Sequence, residues 1–393
     1  MWAYRDKTKE NAGVYYRMKD LSEIRKDIDV IDRQIIDLYK QRMELTTEVA
    51  EYKISTGKAV LDREREKSKL DTLSAMVDTE FSKNGVRELF GQIMSTSRKK
   101  QYQLLTERGR AEELGLTEIP ELKKDGIRVV YQGVEGAYAH LALLSYFGEQ
   151  TEKFHVDTWR DAMEAIRHGQ ADYAVLPFEN SSAGIVAENY DLLREYGYYI
   201  VGEQTIPINH CLLGLPGAKR SDIKCVYSHP QALAQCSRFL EQHREWETIP
   251  QKNTAMSAKK VCDDADPAQA AIASHLTSEL YGLHILDEGI QNNSMNETRF
   301  IIVSRKNEYI AGASKISICV QLKHESGALY HALSHFIFNG LNMTSIESRP
   351  IPGRNWEYQF FIDFDGNLRE AAVQNALRGL KEETLDLKIF GNY

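Results

Sequence analysis

Two cations stand at positions where a helical repeat requires apolar side chains. In residues 21–54 the apolar residues recur with a 3,4 spacing, and Arg42 falls on that seam. Lys53 lies eleven residues later, so at about 100° per residue it points within about 20° of Arg42. Two like charges on a packing face are costly to desolvate unless an anion lies between them. The pair therefore predicts a site for a small dicarboxylate. The alternative is a buried arginine–glutamate ion pair.

Polar side chains also interrupt the buried faces of two further predicted helices. Asp62, Arg65 and Glu66 share one face of the second helix, at i, i+3 and i+4. In the third helix the apolar stripe runs into Ser97, and Gln101 follows one turn later. These groups occur at a depth comparable with that of the two cations, so we expect one shared pocket. For the serine and the glutamine alone, fraying of the helix end is the alternative.

A second set of polar residues lies around predicted strand ends. Residues 296–300, Asn-Glu-Thr-Arg-Phe, lead into an apolar run, and further polar or glycine-containing loops occupy residues 133–138, 179–184, 228–231 and 253–254. Ligands gather beyond the carboxyl ends of strands in parallel sheets, so we expect these loops to converge. Ser228 is assigned as the cap of a helix with an early proline. The alternative for each loop is an ordinary turn or cap.

Three kinds of element must position these residues. Proline is absent before Pro120 and glycine is sparse, so helices are predicted there. The first, over residues 21–54, would be roughly 50 Å long and suited to an intertwined dimer. From residue 127 short apolar runs alternate with helices at 159–168 and 231–240, which predicts parallel sheets with crossover helices. From residue 314 the order βαββαβ predicts an antiparallel sheet with both helices on one face.

The composition limits the classes of function. The 393 residues, 42% hydrophobic and 27% charged, indicate a soluble globular protein of two or three domains. A net charge of -8 argues against nucleic acid as a partner. Five cysteines without ligand spacing predict neither a disulfide framework nor a metal site. The polar N-terminus and the lack of a long apolar segment predict a cytoplasmic protein without a membrane partner. Residues 1–17 have no clear period, which makes Met18 the expected functional start.

Residues 21–105 resemble the all-helical, intertwined-dimer chorismate mutases, with the expected residue type at every matched position. The resemblance implies a pericyclic rearrangement of chorismate to prephenate that needs clamped carboxylates and donors to the breaking ether bond, with no metal or nucleophile. Arg25 would enter from the partner subunit. The remaining pocket residues implied are Arg42, Lys53, Asp62, Arg65, Glu66, Ser97 and Gln101. The arginines fit the carboxylate clamp, and Lys53 and Gln101 are the candidate catalytic donors to the ether oxygen.

Residues 127–305 resemble prephenate dehydratase, a fold of two α/β lobes with a cleft like that of periplasmic solute-binding proteins. The resemblance implies that Thr298 is the catalytic residue and helps the ring hydroxyl of prephenate to leave, with Glu179 as a source of the proton. The substrate-binding set is Glu179, Asn180, Ser181, Ser228, Gln235, Thr298, Arg299 and Phe300. Ala139 and Val134 depart from the family, which has a hydroxyl residue and a proline more often at these positions.

The last eighty residues resemble an ACT regulatory domain of the phenylalanine-binding kind. The resemblance rests on the start of the first helix and on a predicted turn at residues 347–350, and it implies an allosteric site for L-phenylalanine. The implied site residues are Gly327, Ala328, Leu329, Glu347, Ser348, Arg349 and Pro350. Tyr330 departs from the aliphatic residue that is usual there. The alternative is a domain used only for dimerisation.

Together, the three resemblances predict a bifunctional chorismate mutase and prephenate dehydratase that is inhibited by L-phenylalanine and needs no cofactor. The expected domains are residues 18–108, 126–306 and 314–393, in a homodimer or larger homo-oligomer. Two alternatives remain. The two-lobed domain could belong to an amino-acid sensor or solute-binding protein, or the dehydratase could act on arogenate.

Overall fold

The computed structural model describes residues 20–110, 114–351, 353–354 and 356–393. The predicted extension of residues 1–17 and the expected start at Met18 lie outside these ranges. The chain divides into two compact units, one ending at Arg108 and the other beginning at Gly109. None of the helices in the described ranges combines the length and the apolar character that crossing a membrane requires.

The described part of the first unit, residues 20–108, contains three helices, α1 (Leu21–Thr56), α2 (Arg63–Ser74) and α3 (Glu80–Glu107). The long first helix is confirmed, and Gly57 ends it in the left-handed conformation at φ 69°. Helix α3 continues past residue 101 to Glu107. The fraying alternative for Ser97 and Gln101 is therefore wrong, because both lie inside the helix.

The predicted apolar seam of α1 remains uncovered within this unit. Ile31 is 53% exposed, Ile35 52% and Leu38 65%. Isolated apolar side chains are common on protein surfaces, whereas a continuous apolar stripe marks an interaction surface. The seam packs against α3 only near its C-terminal end, where Thr46 and Ala50 are buried.

The second unit begins with a large α/β lobe. Its helices are α4 (Tyr138–Phe147), α5 (Trp159–Arg167) and α6 (Ala187–Tyr196). Its first strands are β1 (Thr117–Ile119), β2 (Arg128–Gln132), β3 (Glu152–Val156), β4 (Tyr173–Asn180), β5 (Gly184–Ile185) and β6 (Tyr199–Pro207). Strands β2, β3 and β4 are parallel, and the helices cover their apolar side chains.

A smaller lobe follows directly after β6. Its strands are β7 (Cys211–Gly214), β8 (Cys225–Ser228), β9 (Glu247–Pro250), β10 (Gln269–Ala273) and β11 (His284–Glu288), in the spatial order β11-β7-β10-β8-β9. Its helices are α7 (Pro230–Gln235), α8 (Ser237–Leu240), α9 (Thr254–Asp264) and α10 (His275–Tyr281). The single helix predicted over residues 231–240 is thus two short helices that meet at Cys236.

The chain then returns to the large lobe through β12 (Glu297–Ser304) and β13 (Glu308–Ile310). Strand β12 lies between β4 and β6 and is antiparallel to both, with Thr298 opposite Asn180. In the small lobe, β7 is antiparallel to β10 and β11. The expectation of wholly parallel sheets is therefore wrong, because the strands by which the chain enters one lobe and re-enters the other run in the opposite direction.

The C-terminal part has the predicted βαββαβ order: β14 (Lys315–Gln321), α11 (Ala328–Phe338), β15 (Met343–Pro350), β16 (Tyr358–Asp365), α12 (Ala371–Glu383) and β17 (Asp386–Asn392). The four strands form an antiparallel sheet in the order β15-β16-β14-β17. Both helices pack on one face of it. The other face packs on the large lobe through Cys319, Phe361 and Phe390.

Candidate active sites

The three helices of the first unit enclose a polar pocket of about 470 Å³. Seven of the eight side chains predicted from the sequence line it: Arg42, Lys53, Asp62, Arg65, Glu66, Ser97 and Gln101. The remaining lining residues are Leu45, Thr46, Val49, Val60, Lys69, Met94 and Arg98. Five lining side chains are cationic and two are acidic, so the pocket favours an anion.

Arg42 is the half-buried cation at the centre of this prediction. Its Nη1 atom donates to the Ser97 hydroxyl and, at 3.5 Å, to the Ile93 carbonyl. Both acceptors are neutral, so the alternative of a buried arginine–glutamate pair is not the arrangement found at this residue. Burial lowers the pKa of the Arg42 guanidinium, and the nearby charge of Glu66 opposes that shift. An anionic ligand would relieve the same desolvation cost.

The candidate donors to an ether oxygen lie on two different helices. Lys53 donates from Nζ to the Val60 carbonyl at 2.6 Å, at the start of the segment that leads into α2. Gln101 on α3 donates from Nε2 to the Ser97 carbonyl at 3.2 Å. The second hydrogen of that amide nitrogen is left for a ligand. Asp62 caps α2 by accepting from the Arg65 amide at 3.1 Å.

Two features of this pocket differ from the simple prediction. Arg25 does not line the pocket, because it lies 17 residues before Arg42 on a straight helix, about 25 Å away along the axis. Arg98, which the sequence reasoning did not select, does line it. A cation one residue after Ser97 on a buried helical face could have indicated this, since Arg98 lies one turn from Met94 and Gln101.

The second site is a cleft of about 400 Å³ between the two lobes. All four groups of loops that the sequence placed at strand ends contribute to it, together with the start of β12. The lining residues are Gln132, Ala137, Tyr138, Ala139, Trp159, Pro177, Asn180, Val186, Ile208, His210, His229, Gln231, Ala232, Gln235, Lys252, Asn253, Thr254, Thr298 and Phe300. Since β12 is antiparallel to β4, its first residues reach the edge where β4 ends.

The hydroxyl of Thr298 is oriented by the side-chain amide of Asn180. The Oδ1 atom of Asn180 accepts from the backbone amides of Ser182 at 3.1 Å and Ala183 at 2.9 Å. Its Nδ2 atom must therefore be the group that lies 2.8 Å from Thr298 Oγ1, 2.9 Å from Asn296 Oδ1 and 3.0 Å from the Glu297 carbonyl, so its two hydrogens serve three acceptors. An amide nitrogen only donates, so Thr298 accepts at this contact. The hydroxyl hydrogen of Thr298 remains available to a ligand in the cleft.

A chain of hydrogen bonds crosses the cleft from one lobe to the other. Tyr138 Oη donates to the Asn209 carbonyl at 2.9 Å and lies 3.2 Å from His210 Nδ1, and His210 Nε2 lies 2.9 Å from Gln235 Oε1. Burial lowers the pKa of His210, although the bond to Gln235 opposes the shift. Burial alone lowers the pKa of His229, which also lines the cleft. Both histidines are therefore neutral near pH 7.

Four predicted residues of this site do not line the cleft. Arg299 points to the opposite face of β12, where Nη2 contacts Asp363 Oδ2 at 2.8 Å and Glu179 Oε2 at 3.4 Å. The Ser181 hydroxyl accepts a hydrogen bond from the backbone amide of Glu297 at 3.0 Å. Ser228 is fully buried and donates to the Ile272 carbonyl at 2.6 Å.

The side chain of His229, and not that of Ser228, caps α7, so the assignment of that cap is wrong. Glu179 is also separated from Thr298, because neighbouring residues of β4 point to opposite faces. The hypothesis that it supplies a proton through Thr298 is not supported by this arrangement. The sequence reasoning missed His210, His229, Trp159 and Lys252.

A third cavity, of about 380 Å³, lies in the C-terminal part. Ala328 and Leu329 of the predicted regulatory set line it, with Tyr358 and Phe360 from β16. Gly327 precedes α11 at φ 81°, a conformation that favours glycine. Residues 347–350 form the end of edge strand β15, so the predicted turn is wrong. Within that segment Arg349 pairs with Asp191 of the large lobe at 2.5 Å.

No group of three or more His, Cys, Asp or Glu side chains in the described ranges is arranged to hold a metal ion. Both sites present hydrogen-bond donors and apolar surface, which suits organic anions. Their different lining predicts different chemistry in the two units.

Two family profiles match the chain. The profile of chorismate mutase type II matches residues 24–102, and that of prephenate dehydratase matches residues 129–308. The first covers the helical pocket, and the second covers both lobes of the cleft.

Individual relatives extend these matches. The chain is 33% identical over 379 residues to the bifunctional chorismate mutase/prephenate dehydratase of Escherichia coli K12, covering 95% of this chain and 96% of the relative. It is 38% identical over 284 residues to an arogenate dehydratase/prephenate dehydratase of Arabidopsis thaliana, covering 68% of this chain and 72% of the relative. The prephenate dehydratase of Arthrobacter aurescens, solved in complex with L-Phe, superimposes with a TM-score of 0.63 at 33% identity over 68% of this chain and 89% of that one.

Proposed function

Because the chain belongs to the family of bifunctional chorismate mutases/prephenate dehydratases, we propose that the helical pocket converts chorismate to prephenate and that the cleft converts prephenate to phenylpyruvate. The enzyme carries a chorismate mutase domain and a prephenate dehydratase domain. We further propose that L-phenylalanine inhibits it through the C-terminal sheet, with functional domains at residues 18–108, 126–306 and 314–393. The observation that carries the proposal is the lining of the helical pocket, where seven predicted side chains converge.

In the mutase reaction the protein has to fold a flexible dianion and stabilise its breaking ether bond. Arg42 and Arg65 are suited to the two carboxylates, because a guanidinium meets a carboxylate through two parallel hydrogen bonds. Lys53 and Gln101 donate toward the ether oxygen, which gains negative charge as its bond to carbon lengthens. No proton is transferred, so rate acceleration comes from orientation and electrostatics.

We propose that the enzyme is a homodimer or larger homo-oligomer in which two copies of α1 pair. The exposed seam of Ile31, Ile35 and Leu38 supports this, since a second helix with the same repeat would cover it. An antiparallel partner would also bring its own Arg25 toward the pocket, about 25 Å along the helix from Arg25 of the same chain. The mutase site would then contain residues of two chains.

In the dehydratase reaction Thr298 donates a hydrogen bond to the leaving hydroxyl of prephenate. The carbon–oxygen bond breaks and the hydroxyl leaves as hydroxide, which takes one proton from solvent to become water, while the bond between the ring and its carboxylate breaks and releases carbon dioxide. The electron pair of that bond completes the aromatic ring. A threonine hydroxyl is a weak acid, so its contribution is an oriented hydrogen bond to the leaving oxygen. Asn180 supplies that orientation, as described above.

Recognition of the substrate carboxylates falls to Lys252 and to two helix N-termini. Helices α4 and α9 both begin at the cleft, and Ala137 at the start of α4 offers no side-chain acceptor to its first amides. Such amides bind anions.

The lining also bears on the choice between prephenate and arogenate, which carries an ammonium group in place of the keto group. None of the cleft-lining residues, all of which the structure describes, is acidic. An ammonium group would have no carboxylate partner there, so prephenate is the better match.

Inhibition by L-phenylalanine requires a connection from the C-terminal sheet to the cleft. Arg299, next to Thr298 on β12, pairs with Asp363 of β16 at 2.8 Å. Asp363 in turn accepts from Ser317 of β14 at 2.5 Å. A shift of the sheet on ligand binding would therefore act on the strand that carries Thr298. The Arthrobacter aurescens relative was solved with L-Phe bound, which supports L-phenylalanine as a ligand of this chain. We assign it to the cavity lined by Ala328 and Leu329, which belong to the predicted regulatory set.

One assay tests the proposed function. The purified full-length chain is given chorismate, and prephenate and phenylpyruvate are measured over time with and without L-phenylalanine. We expect prephenate to appear first, phenylpyruvate to follow, and phenylalanine to slow the second step. Accumulation of prephenate alone would remove the dehydratase assignment, and indifference to phenylalanine would remove the regulatory one.

A further inference from the structure

Arg98 is a buried cation in the mutase pocket that none of the assigned roles uses. It lies on α3 one residue after Ser97 and shares a helical face with Met94 and Gln101, which also line the pocket. The residue is only 7% exposed. Its Nη1 atom donates a charge-assisted hydrogen bond to Glu66 Oε2 on α2 at 2.5 Å.

The ion pair matters for substrate binding because Glu66 is a negatively charged side chain in a pocket proposed for a doubly negative substrate. Its side chain is 26% exposed and lines the same cavity as Arg42 and Arg65. A free negative charge there would repel the substrate carboxylates that the arginines attract. A carboxylate accepts hydrogen bonds only, and the one neutral donor on chorismate is its ring hydroxyl. Glu66 can bind that hydroxyl without repelling the dianion only if its charge is balanced and its orientation is fixed.

We propose that Arg98 is a positioning residue of the mutase reaction, which neutralises Glu66 and holds its second carboxylate oxygen toward the substrate hydroxyl. This inference rests on the mutase activity of the pocket. Arg98 does not touch the reacting bonds, and it acts through Glu66. It also accounts for one of the five cations in the pocket, which balances a protein carboxylate and not the ligand.

A purely structural role is the competing explanation, since the same ion pair joins α2 to α3. The two explanations differ in what substitutions of the pair do. If Arg98 only joins the helices, Arg98→Gln lowers the thermal unfolding midpoint and kcat together with the affinity for chorismate. If Arg98 balances the charge of Glu66, removing both charges restores substrate binding, because a neutral glutamine can still accept from the hydroxyl and no longer repels the dianion.

The test compares Arg98→Gln, Glu66→Gln and the double variant with the wild-type chain, measuring KM and kcat for chorismate separately. We expect Arg98→Gln to raise KM about 10- to 100-fold. The double variant should return KM to within about threefold of that of Glu66→Gln alone. Arg98→Lys, which keeps the charge, should recover most of the affinity. Arg87→Gln is the matched control, because Arg87 lies on the exposed side of α3 in an ion pair with Asp71.

The outcomes separate the possibilities. An unchanged KM in Arg98→Gln would overturn the inference, and so would a double variant that binds chorismate no better than Arg98→Gln. If Arg98→Gln does not fold, the comparison of Arg98→Lys with the double variant still decides, since both retain charge balance and both should bind. Far-ultraviolet circular dichroism and the thermal unfolding midpoint, compared with those of the wild-type chain, verify that the helical unit of each variant is folded. Lack of mutase turnover in the wild-type chain would instead remove the proposed function.

Discussion

The helical pocket and the two-lobed cleft accept dianions of similar size with very different side chains. Five cations line the pocket, whereas Lys252 is the one lysine or arginine among the described residues that line the cleft. A pericyclic rearrangement needs the ligand folded and its charges held, which fixed guanidinium groups achieve. Loss of a hydroxyl needs one directed donor, which is the role that we propose for Thr298 in a cleft with few charged side chains. The difference in charge therefore follows from the difference in chemistry.

The largest effect expected from a single substitution is in the cleft. Thr298→Val removes the hydroxyl with little change in volume, and we expect dehydratase kcat to fall about 10²- to 10⁴-fold. Mutase activity should stay within twofold of wild type, measured on chorismate in the same preparation. Thr205→Val is the matched control, since Thr205 is exposed on the neighbouring strand β6. An equal loss of both activities would break the division between the two sites.

The reciprocal change is Arg42→Gln in the pocket. The substitution removes a charged donor to a substrate carboxylate, so kcat/KM for chorismate should fall about 10- to 100-fold. Conversion of supplied prephenate to phenylpyruvate should be unaffected. Arg33→Gln serves as control, because Arg33 is on the exposed surface of the same helix. If dehydratase turnover falls in parallel with mutase turnover, the pocket and the cleft are not independent.

Asn180→Asp tests whether the direction of the hydrogen bond between Asn180 and Thr298 matters for the dehydratase reaction. A carboxylate cannot donate to Thr298 Oγ1, so the threonine would donate to it and lose its free hydrogen. The backbone amides of Ser182 and Ala183 can still donate to the new carboxylate, whereas the contacts with Asn296 Oδ1 and the Glu297 carbonyl are lost, so the thermal unfolding midpoint is measured beside kcat. We expect dehydratase kcat to fall about tenfold, while mutase turnover is unchanged. Full activity of this variant would show that the direction of the Asn180–Thr298 bond is irrelevant.

The smallest expected effect concerns regulation. Asp363→Asn replaces the carboxylate that pairs with Arg299 by a neutral amide and so weakens the connection between β16 and β12. The concentration of L-phenylalanine that halves dehydratase activity should therefore rise about three- to tenfold. Calorimetry should show that phenylalanine still binds. Asp365→Asn is the matched control, because Asp365 is exposed at the end of the same strand. An identical inhibition curve for Asp363→Asn and wild type would exclude the Arg299–Asp363 connection.

The pocket was more predictable from sequence than the cleft, for reasons of distance along the chain. Arg42 and Lys53 share one helix, and a period of 3.6 residues is enough to place them together. The same reasoning could not find His210, since its partner Tyr138 is 72 residues away in the chain and on the other lobe. Proximity of that kind depends on topology, which local periodicity does not encode.

Strand geometry accounts for the remaining differences. Thr298 and Arg299 are consecutive in β12, so a period of two residues sends them to opposite faces, and only the first reaches the cleft. That signal was present in the sequence once the strand was assigned. The antiparallel direction of β12 could not be predicted from the sequence, because an apolar run has the same pattern in a parallel strand and in an antiparallel one.

The central claim, that one chain holds two separate active sites, is tested most directly by mixing two variants that each lack one of the two activities. Thr298→Val alone should turn chorismate into prephenate only, and Arg42→Gln alone should make little of either product. An equimolar mixture supplied with chorismate should form phenylpyruvate after a lag, as prephenate released by the first variant reaches the cleft of the second. Absence of phenylpyruvate from the mixture, while Arg42→Gln still converts added prephenate, would contradict the claim.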